Sequence, residues 1–201
     1  MKCERIPLGA QGAYLDTYFL ADSPELKAGA CRPAVVVCPG GGYAYTSDRE
    51  AEPIALALCA RGFHACVLRY PCAPARFPAA LRALAEAVAW VRAGAAENHV
   101  DPRQISVCGF SAGGHLAGSL GVFWNAPFLA AETGLAPQDM RPDKMVLCYP
   151  VITGGEFAHK GSFDNLLGAD ADAARRAEVS LEQHVTQDTP PAFLWHTYTD
   201  P

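Results

Sequence analysis

The sequence predicts an α/β fold in which a mostly parallel sheet is covered by helices on both faces. Short, continuous apolar runs, typical of strands buried on both sides, alternate along the chain with segments of helical periodicity. This alternation requires crossover connections between neighbouring strands, and such connections produce parallel pairs. The chain has 201 residues, of which 50% are apolar, so it fits a single domain, residues 1–201, with a sizeable core.

Two strands are predicted in the first half of the chain. Residues 34–38 form an apolar run that ends at Pro39, and residues 63–70 form a second run. A proline-rich connection over residues 71–78 follows the second strand. The alanine-rich segment after it is predicted to be helical, because its large apolar residues recur at helical spacing: Leu81, Leu84, Val88 and Val91.

A further helix is predicted between these two strands, from near Glu50 to Arg61. Its beginning is open to two interpretations. Ser47 and Glu50 have the spacing of a capping box, in which each side chain bonds to the backbone N–H of the other residue. Pro53 favours a later start, because proline is best tolerated in the first helical turn.

The second half of the chain contains three further predicted strands, at residues 105–108, 145–149 and 192–197. A turn at Asp101 and Pro102 precedes the first of them. A helix of small residues, from near Ala112 to about Phe123, follows it. The order of elements is therefore the same as in the first half, with strands and helices in alternation.

Residues 109–113 have the pattern G-x-S-x-G, with Ser111 at its centre. A predicted strand precedes the pattern and a predicted helix follows it, which is the context of a nucleophile elbow in the α/β-hydrolase fold. Small residues are needed there because the helix and the strands approach the turn closely. The alternative is a serine in an ordinary glycine-rich turn, and the strand-turn-helix context argues against it. We therefore predict an α/β-hydrolase fold with Ser111 as the nucleophile.

A glycine loop over residues 39–43 follows the first predicted strand. In lipases and esterases of this fold, a loop at this place supplies backbone N–H groups for the oxyanion, together with the N–H after the nucleophile. The sequence therefore predicts Gly41, Gly42 and Ala112 as oxyanion-hole donors. A phosphate-binding loop is the alternative, but neither G-K-[ST] nor G-x-G-x-x-G is present.

Asp200 is the predicted acid of a catalytic triad. In this fold the nucleophile, the acid and the histidine follow one another in that order along the chain, and the acid comes after a late strand. Asp200 lies just beyond the strand predicted at residues 192–197. A turn aspartate before Pro201 is the alternative. Three rival carboxylates lie in the irregular segment before that strand: Asp164, Asp170 and Asp172.

The histidine base is missing from this pattern, because none of the six histidines follows Asp200. His115 lies one helical turn beyond Ser111 and is expected to pack or hydrogen-bond beneath the elbow. His159 and His184 would reach the site only if the irregular segment folds back over it. Each histidine is expected to be structural rather than the base: His64, His99, His115, His159, His184 and His196.

Composition excludes several classes of protein. Sixteen basic and 21 acidic side chains give a net charge of -5, which argues against a nucleic-acid surface. Residues 1–18 contain no apolar h-region, and no apolar run is long enough to span a bilayer, so neither a signal peptide nor a membrane partner is expected. The eight cysteines contain no C-x-x-C pair, and four of them fall in predicted strands. We expect reduced core thiols in a cytoplasmic protein, with no disulfide and no zinc.

Seven motifs spread over nearly the whole chain carry a family resemblance: PGGGY at 39–43, REAEP at 49–53, LRY at 68–70, VCGFSAGGHL at 107–116, CYPVI at 148–152, NLLG at 165–168 and TPPAFLWHT at 189–197. Through them the chain resembles the bacterial esterases of the acetyl-xylan-esterase-like, or carbohydrate-esterase-like, α/β-hydrolase group. The resemblance implies hydrolysis of small acyl esters, often acetyl groups on sugars. It also implies the nucleophile at Ser111, the acid at Asp200 and the oxyanion donors in the glycine loop.

Members of this group continue past the acid with a helix, a strand and a loop that carries the catalytic histidine. Because this sequence stops at Pro201, we expect a C-terminally truncated chain whose base lies beyond residue 201. A chain without that histidine is expected to be impaired in activity.

The leading hypothesis is a serine esterase that works through an acyl-serine intermediate and needs no cofactor or metal. Its partner is a small acyl ester, with an acetylated sugar as one candidate, and the sequence is compatible with a homo-oligomer. Residues 151–189 have no single period, and we interpret them as an insertion or cap, partly helical near residues 172–179. Together with residues 71–78 and Tyr43, this insertion is expected to contact the substrate and to set the acyl size.

Two other hypotheses remain open. A peptidase of the prolyl-oligopeptidase type has a similar elbow but favours a different oxyanion donor, so the glycine loop favours the esterase. A non-catalytic binding protein on the same fold is suggested only by the missing histidine.

Overall fold

A computed structural model of the protein describes residues 1–9, 12–198 and 200. The strands of this part of the chain are β1 (Lys2–Pro7), β2 (Tyr14–Phe19), β3 (Arg32–Cys38), β4 (His64–Arg69), β5 (Val100–Phe110), β6 (Lys144–Cys148) and β7 (Ala192–Trp195). Its helices are α1 (Pro24–Lys27), α2 (Glu52–Cys59), α3 (Ala79–Ala93), α4 (Ala112–Phe123), α5 (Pro127–Thr133), α6 (Pro137–Met140), α7 (Lys160–Leu167) and α8 (Ala173–Ala177). Short 3₁₀ turns lie at Asp48–Glu50 and Leu181–Gln183.

All seven strands form one sheet in the order β1-β2-β4-β3-β5-β6-β7. From β4 to β7 the neighbours are parallel, whereas β1 with β2 and β2 with β4 are antiparallel. β3 lies between β4 and β5, so that Val36 is paired with Cys66 on one side and with Val107 on the other. The prediction of a mostly parallel sheet is confirmed.

Helices cover both faces of this sheet, as predicted. Successive residues of β3 point to opposite faces, since Val36 belongs to one buried cluster and Val37 to the other. α3 and α4 pack in the first cluster, and α2 packs in the second. On the second face, the end of the sheet at β7 is open, and Phe193 is 63% exposed.

Every residue of α4 except Val122 is buried. Its many small residues follow from this close packing. A Cβ on Gly113 would lie 2.1 Å from the carbonyl oxygen of Cys38, at the end of β3. A Cβ on Gly109 would lie 2.0 Å from the carbonyl oxygen of Gly113. The two glycines of the G-x-S-x-G pattern are therefore required by the contact between α4 and the sheet.

The helix predicted from near Glu50 to Arg61 is shorter than expected. A 3₁₀ turn ends at Glu50, and α2 then begins at Glu52 with Pro53 in its first turn. No capping box forms, because the Ser47 side chain caps nothing and the Glu50 carboxylate accepts the N–H of Gly40 instead. Of the two interpretations, the one based on Pro53 is correct.

Two further differences from the predicted elements concern the sheet. The turn predicted at Asp101 and Pro102 lies inside β5, where the pairing with β3 shifts its register between Arg32 and Ala34. The antiparallel hairpin of β1 and β2 was not predicted. β1 is exposed along most of its length, so its sequence lacks the apolar pattern by which buried strands are found.

The cysteines that were expected in buried strands are found there: Cys38, Cys66, Cys108 and Cys148. All eight cysteines of the chain are free. Burial raises the pKa of the Cys38 and Cys66 thiols, so both stay protonated at neutral pH. In the part of the chain that the structure describes, no helix combines the length and the apolar character needed to cross a membrane.

We predict that Gly113→Ala destabilises the protein strongly. The added methyl would collide with the carbonyl oxygens of Cys38 and Pro39, 2.1 and 2.4 Å away, and backbone atoms cannot turn aside as a side chain can. We expect a loss of about 3 kcal/mol or more in the free energy of unfolding, measured by urea denaturation. Gly161→Ala is the control, because the nearest atom to its added methyl is 3.9 Å away. Similar stabilities for the two variants would contradict the prediction.

Candidate active site

Ser111 lies in a sharp turn between β5 and α4, with a φ of 53° and a ψ of −118°. A positive φ is unfavourable for serine, so the surrounding structure must hold this conformation. The N–H of Ser111 donates to the carbonyl of Cys148 at 3.0 Å. Its own carbonyl accepts the N–H groups of Val151 and His115, both at 3.1 Å. These bonds fix the peptide groups on both sides of the half-buried serine.

The glycine loop lies directly against this turn. A Cβ on Gly40 would be 3.1 Å from the Cβ of Ser111 and 2.7 Å from the carbonyl oxygen of Phe110. Gly41 has a φ of 129° and Gly42 has a φ of 62°, both in the region that favours glycine. A side chain at Gly40 would therefore collide with the turn at Ser111, and one at Gly41 would collide with the carbonyl oxygen of Tyr45, 2.3 Å from its Cβ.

The three predicted oxyanion donors belong to peptide groups that are anchored through their carbonyl oxygens. The Gly40 carbonyl accepts the N–H of Ser47 at 2.9 Å, which fixes the peptide that carries the N–H of Gly41. The Gly41 carbonyl accepts the N–H of Ala44 at 3.0 Å, which fixes the peptide that carries the N–H of Gly42.

The Ser111 carbonyl accepts the N–H groups of Val151 and His115, which fixes the peptide that carries the N–H of Ala112. Within the described residues, these three N–H groups donate to no acceptor: Gly41, Gly42 and Ala112. These three unpaired donors belong to fixed peptide groups in the turn after Ser111 and in the loop whose Gly40 lies against it. None of the three residues is among those that line the cleft beside Ser111.

A cleft with a volume of about 790 Å³ opens above Ser111. The loops that follow β6 and β7 and the start of α7 form its walls. The lining residues are Ser111, Tyr149, Pro150, Val151, Ile152, Thr153, Glu156, Phe157, Ala158, His159, Lys160, Gly161, His196 and Asp200. The segment interpreted as an insertion, residues 151–189, thus supplies most of one wall and contains α7 and α8.

Asp200 lines the same cleft as Ser111. Its Oδ2 accepts the hydroxyl of Thr197 at 3.4 Å and lies 3.9 Å from Nε2 of His196. Two of its rivals have structural partners instead, since Asp164 pairs with Arg176 and Asp172 caps α8. None of the three rival carboxylates lines the cleft.

Tyr43 does not lie where a substrate contact was expected. Its side chain is 3% exposed, packs against the ring of Tyr70, and is absent from the lining of the cleft. Its hydroxyl lies 2.8 Å from Nδ1 of His115, beneath the elbow. The sequence places Tyr43 beside the glycine loop, but the positive φ of 58° turns its side chain into the core.

Tyr149 is a cleft residue that the sequence did not single out, since it was expected only as the end of a strand. It has a φ of 35°, and its hydroxyl donates to the Glu50 carboxylate at 3.0 Å. Its position directly after β6, at the carboxyl edge of a parallel sheet, is the signal that would have pointed to the site.

His159 and His196 are the histidines that line the cleft in the described part of the chain. His196 Nδ1 lies 3.0 Å from the carbonyl of Thr197 and therefore carries a proton, while Nε2 faces Asp200. Within the described residues, no hydrogen bond joins a ring nitrogen of His196 to Ser111. His159 bonds through Nδ1 to Ser162 at 2.7 Å, without a carboxylate to orient it. Neither histidine therefore bridges Ser111 and Asp200 in this arrangement.

A model of the BD-FAE family matches residues 22–201 of the sequence. The chain belongs to the BD-FAE family. The residues matched include the glycine loop, Ser111 and Asp200, so the family assignment covers every part of the site described above.

Two curated relatives of this BD-FAE chain are named for xylan. Endo-1,4-beta-xylanase B of Butyrivibrio fibrisolvens is 35% identical over 178 residues, which are 84% of this chain and 27% of the relative. Acetylxylan esterase of Xylanibacter ruminicola is 28% identical over 186 residues, which are 88% of this chain and 34% of the relative. The chain thus spans about a quarter to a third of the length of these two relatives.

Solved structures of hydrolases share the fold of the BD-FAE chain. An acetyl ester-xyloside bifunctional hydrolase from Caldicellulosiruptor lactoaceticus is 36% identical with a TM-score of 0.83, covering 98% of this chain and 75% of that one. A carboxylesterase from Lactobacillus plantarum WCFS1 is 30% identical with a TM-score of 0.84, covering 100% of this chain and 74% of that one. The predicted α/β-hydrolase fold and the predicted family resemblance are confirmed.

His115 of the BD-FAE chain lies beneath the elbow, where it was expected. Nε2 donates to the carbonyl of Val179 at 2.9 Å, so Nδ1 accepts the hydroxyl of Tyr43. The ring is 1% exposed, and burial lowers the pKa of His115 to about 4. It is therefore a neutral structural group at neutral pH, and it links α4, the glycine loop and the insertion.

We predict that this histidine makes the stability of the protein depend on pH. Its pKa is about 4 in the folded chain and 6.5 when solvated, so the unfolded state binds the extra proton between these values. The stabilisation is complete above pH 6.5 and is lost as the pH falls toward 4, by roughly 3 kcal/mol. Urea denaturation at several pH values measures this loss. His115→Gln, which can donate and accept in the same places, should remove that part of the slope.

Gln138→Ala is the control for this measurement, because Gln138 is exposed and carries no titratable group, so its replacement should leave the slope as it is. An equal slope in the wild type and in His115→Gln would contradict the assignment.

Proposed function

We propose that the protein is a serine carboxylic ester hydrolase that acts on small acyl esters, with acetylated carbohydrates as its substrate class. The observation that carries this proposal is the arrangement at Ser111. Ser111 lies in a strained turn and opens into a cleft, and three N–H groups in anchored peptides of this turn and of the adjoining glycine loop have no acceptor within the described residues. The names of the relatives, which include an acetylxylan esterase and carboxylesterases, support the same chemistry.

In the proposed reaction, Oγ of Ser111 attacks the acyl carbon of the ester. The carbonyl oxygen becomes an oxyanion and is bound by the N–H groups of Gly41, Gly42 and Ala112. The proton of the hydroxyl passes to a histidine and from there to the leaving alcohol, so an acyl-serine remains. Water then attacks the acyl-serine by the same route, releasing the acid and restoring the serine.

Asp200 is the proposed acid that orients the histidine. Its place on the cleft, beyond β7, supports this role, and the histidine is proposed to lie beyond residue 201. The two cleft histidines have other partners in the described structure, which supports a base from elsewhere. We also propose a cytoplasmic location, which the eight free cysteines support.

An acetylated sugar suits the cleft in size and character. A volume of about 790 Å³ lies within the range of small-molecule sites and accommodates more than an acetyl group. The walls combine apolar residues, such as Ile152 and Phe157, with polar ones, such as Thr153 and Lys160. Such a mixture can pack against a sugar ring and hydrogen-bond to its hydroxyl groups.

We predict that Ser111→Ala abolishes ester hydrolysis and labelling by a fluorophosphonate, because both require the Oγ nucleophile. Release of p-nitrophenol from p-nitrophenyl acetate measures the first, and gel fluorescence measures the second. Ser106→Ala is the control, since Ser106 lies on β5 several residues before the turn and outside the cleft.

The same assay separates the esterase from the other hypotheses. Release of the aniline from a proline anilide by the full-length wild type, without release of p-nitrophenol from the ester, would indicate a peptidase. A folded full-length protein that binds the ester unchanged and forms no acyl-serine would indicate a binding protein.

We predict that Asp200→Asn lowers kcat by about 10³–10⁴-fold in the full-length protein, because an amide cannot hold the histidine in the required tautomer. Steady-state hydrolysis of p-nitrophenyl acetate measures this loss. Asp170→Asn is the matched control, since Asp170 is a rival carboxylate that lies outside the cleft. A wild-type rate for Asp200→Asn, or a comparable loss in the control, would remove Asp200 from the proposed triad.

A further inference from the structure

The carboxylate of Glu50 joins the glycine loop to Tyr149, a residue that lines the cleft. Its Oε2 accepts the N–H of Gly40 at 2.7 Å, and its Oε1 accepts the hydroxyl of Tyr149 at 3.0 Å. Within the described residues Glu50 makes no salt bridge. Burying a carboxylate without a cation costs free energy, and the two hydrogen bonds from Gly40 and Tyr149 offset that cost.

We propose that Glu50 is a positioning residue that holds both sides of the oxyanion hole in place around Ser111. This inference rests on the proposed function, because it assigns a role within that reaction. Glu50 touches neither the substrate nor the reacting atoms, and it acts through Gly40 on one side and through Tyr149 on the other.

On the first side, Glu50 fixes the peptide between Pro39 and Gly40. The carbonyl of Pro39 accepts the hydroxyl of Tyr70 at 2.5 Å, so this peptide is bonded at both ends. The next two peptides carry the N–H groups of Gly41 and Gly42, and their carbonyls are bonded as described above. Glu50 is the charged anchor of this series, and hydrogen bonds to a charged acceptor are about twice as strong as neutral ones.

The space around Gly40 shows how closely these groups converge. A Cβ there would lie 2.8 Å from Oε2 of Glu50 and 3.1 Å from Cβ of Ser111. The anchor and the nucleophile therefore contact the same residue from different directions. A shift of the loop away from Glu50 would move the donors of Gly41 and Gly42 relative to Ser111, and displacements of about 1 Å can cost 10²-fold in rate.

On the second side, Glu50 holds Tyr149 in its strained conformation, with a φ of 35°. The N–H of Tyr149 donates to the carbonyl of Trp195 at 2.8 Å, and its hydroxyl donates to Glu50. Burial and the Glu50 carboxylate raise the pKa of Tyr149, so its hydroxyl stays protonated and remains a donor. Two residues later, Val151 donates to the carbonyl of Ser111 and so fixes the peptide that carries the N–H of Ala112.

The test is kinetic and uses the full-length protein with p-nitrophenyl acetate, with rates expressed per active site from a fluorophosphonate titration. We expect Glu50→Ala to lower kcat by about 30–100-fold while KM changes less than about threefold, because the donors matter most in the transition state. Glu50→Gln keeps an acceptor oxygen for Gly40 and should recover kcat to within about fivefold of the wild type. Glu52→Gln is the matched control, since Glu52 is exposed and contacts Tyr18 outside the cleft.

Tyr149→Phe tests the second side separately and removes only one hydroxyl. We expect it to lower kcat per active site by about three- to tenfold while KM changes less than about threefold. It also keeps the inference testable if Glu50→Ala does not fold.

The outcomes separate this inference from the proposed function. A wild type that neither labels nor hydrolyses the ester overturns both. A labelled, active wild type with unchanged kcat per active site in Glu50→Ala overturns the positioning role alone, even if that variant is less stable. If Glu50→Ala does not fold, wild-type kcat in both Glu50→Gln and Tyr149→Phe overturns it as well.

Discussion

The close approach of α4 to the end of β3 is the constraint on which the rest of the site depends. The helix begins against the carbonyl oxygens of Cys38 and Pro39, at a distance that leaves no room for a Cβ on Gly113. This contact places the start of the glycine loop against the turn at Ser111, since a Cβ on Gly40 would lie 3.1 Å from the Cβ of Ser111. If α4 were displaced by the width of a methyl group, the turn at Ser111 and the glycine loop would no longer be in contact.

A buried polar layer beneath the elbow supports this arrangement. His115 links the hydroxyl of Tyr43, in the glycine loop, to the carbonyl of Val179, in the insertion. Such a layer is stabilising only when each member is paired, and neutral His115 pairs with one donor and one acceptor. A second contact joins the same parts, because Asn165 of α7 donates to the carbonyl of Gly42 at 2.9 Å. The segment that forms the cleft wall is thus attached to the loop that holds two of the proposed oxyanion donors.

The sequence was sufficient for the parts of the fold that are buried and for the turns that only small residues allow. β3 and α4 were found for these reasons, whereas the exposed β1 had no apolar pattern to reveal it. The direction of a side chain could not be predicted from the sequence. Tyr43 was expected in the cleft, but it lies in the core. Glu50 was noticed, but its spacing from Ser47 suggested a local cap, since a partner 99 residues away in the chain cannot be found from local spacing.

The parallel strands explain why residues far apart in the sequence meet. β3, β5, β6 and β7 are neighbours in the sheet, and their carboxyl ends lead to the glycine loop, Ser111, Tyr149 and Asp200 in that order. Each of these four segments follows a different strand, so the strand order alone fixes the order in which they lie across the site. Glu50 is different, because it follows the loop after β3 yet bonds to the residue after β6, across the turn after β5. A single carboxylate thereby connects the two segments that flank Ser111, which the strand order by itself does not accomplish.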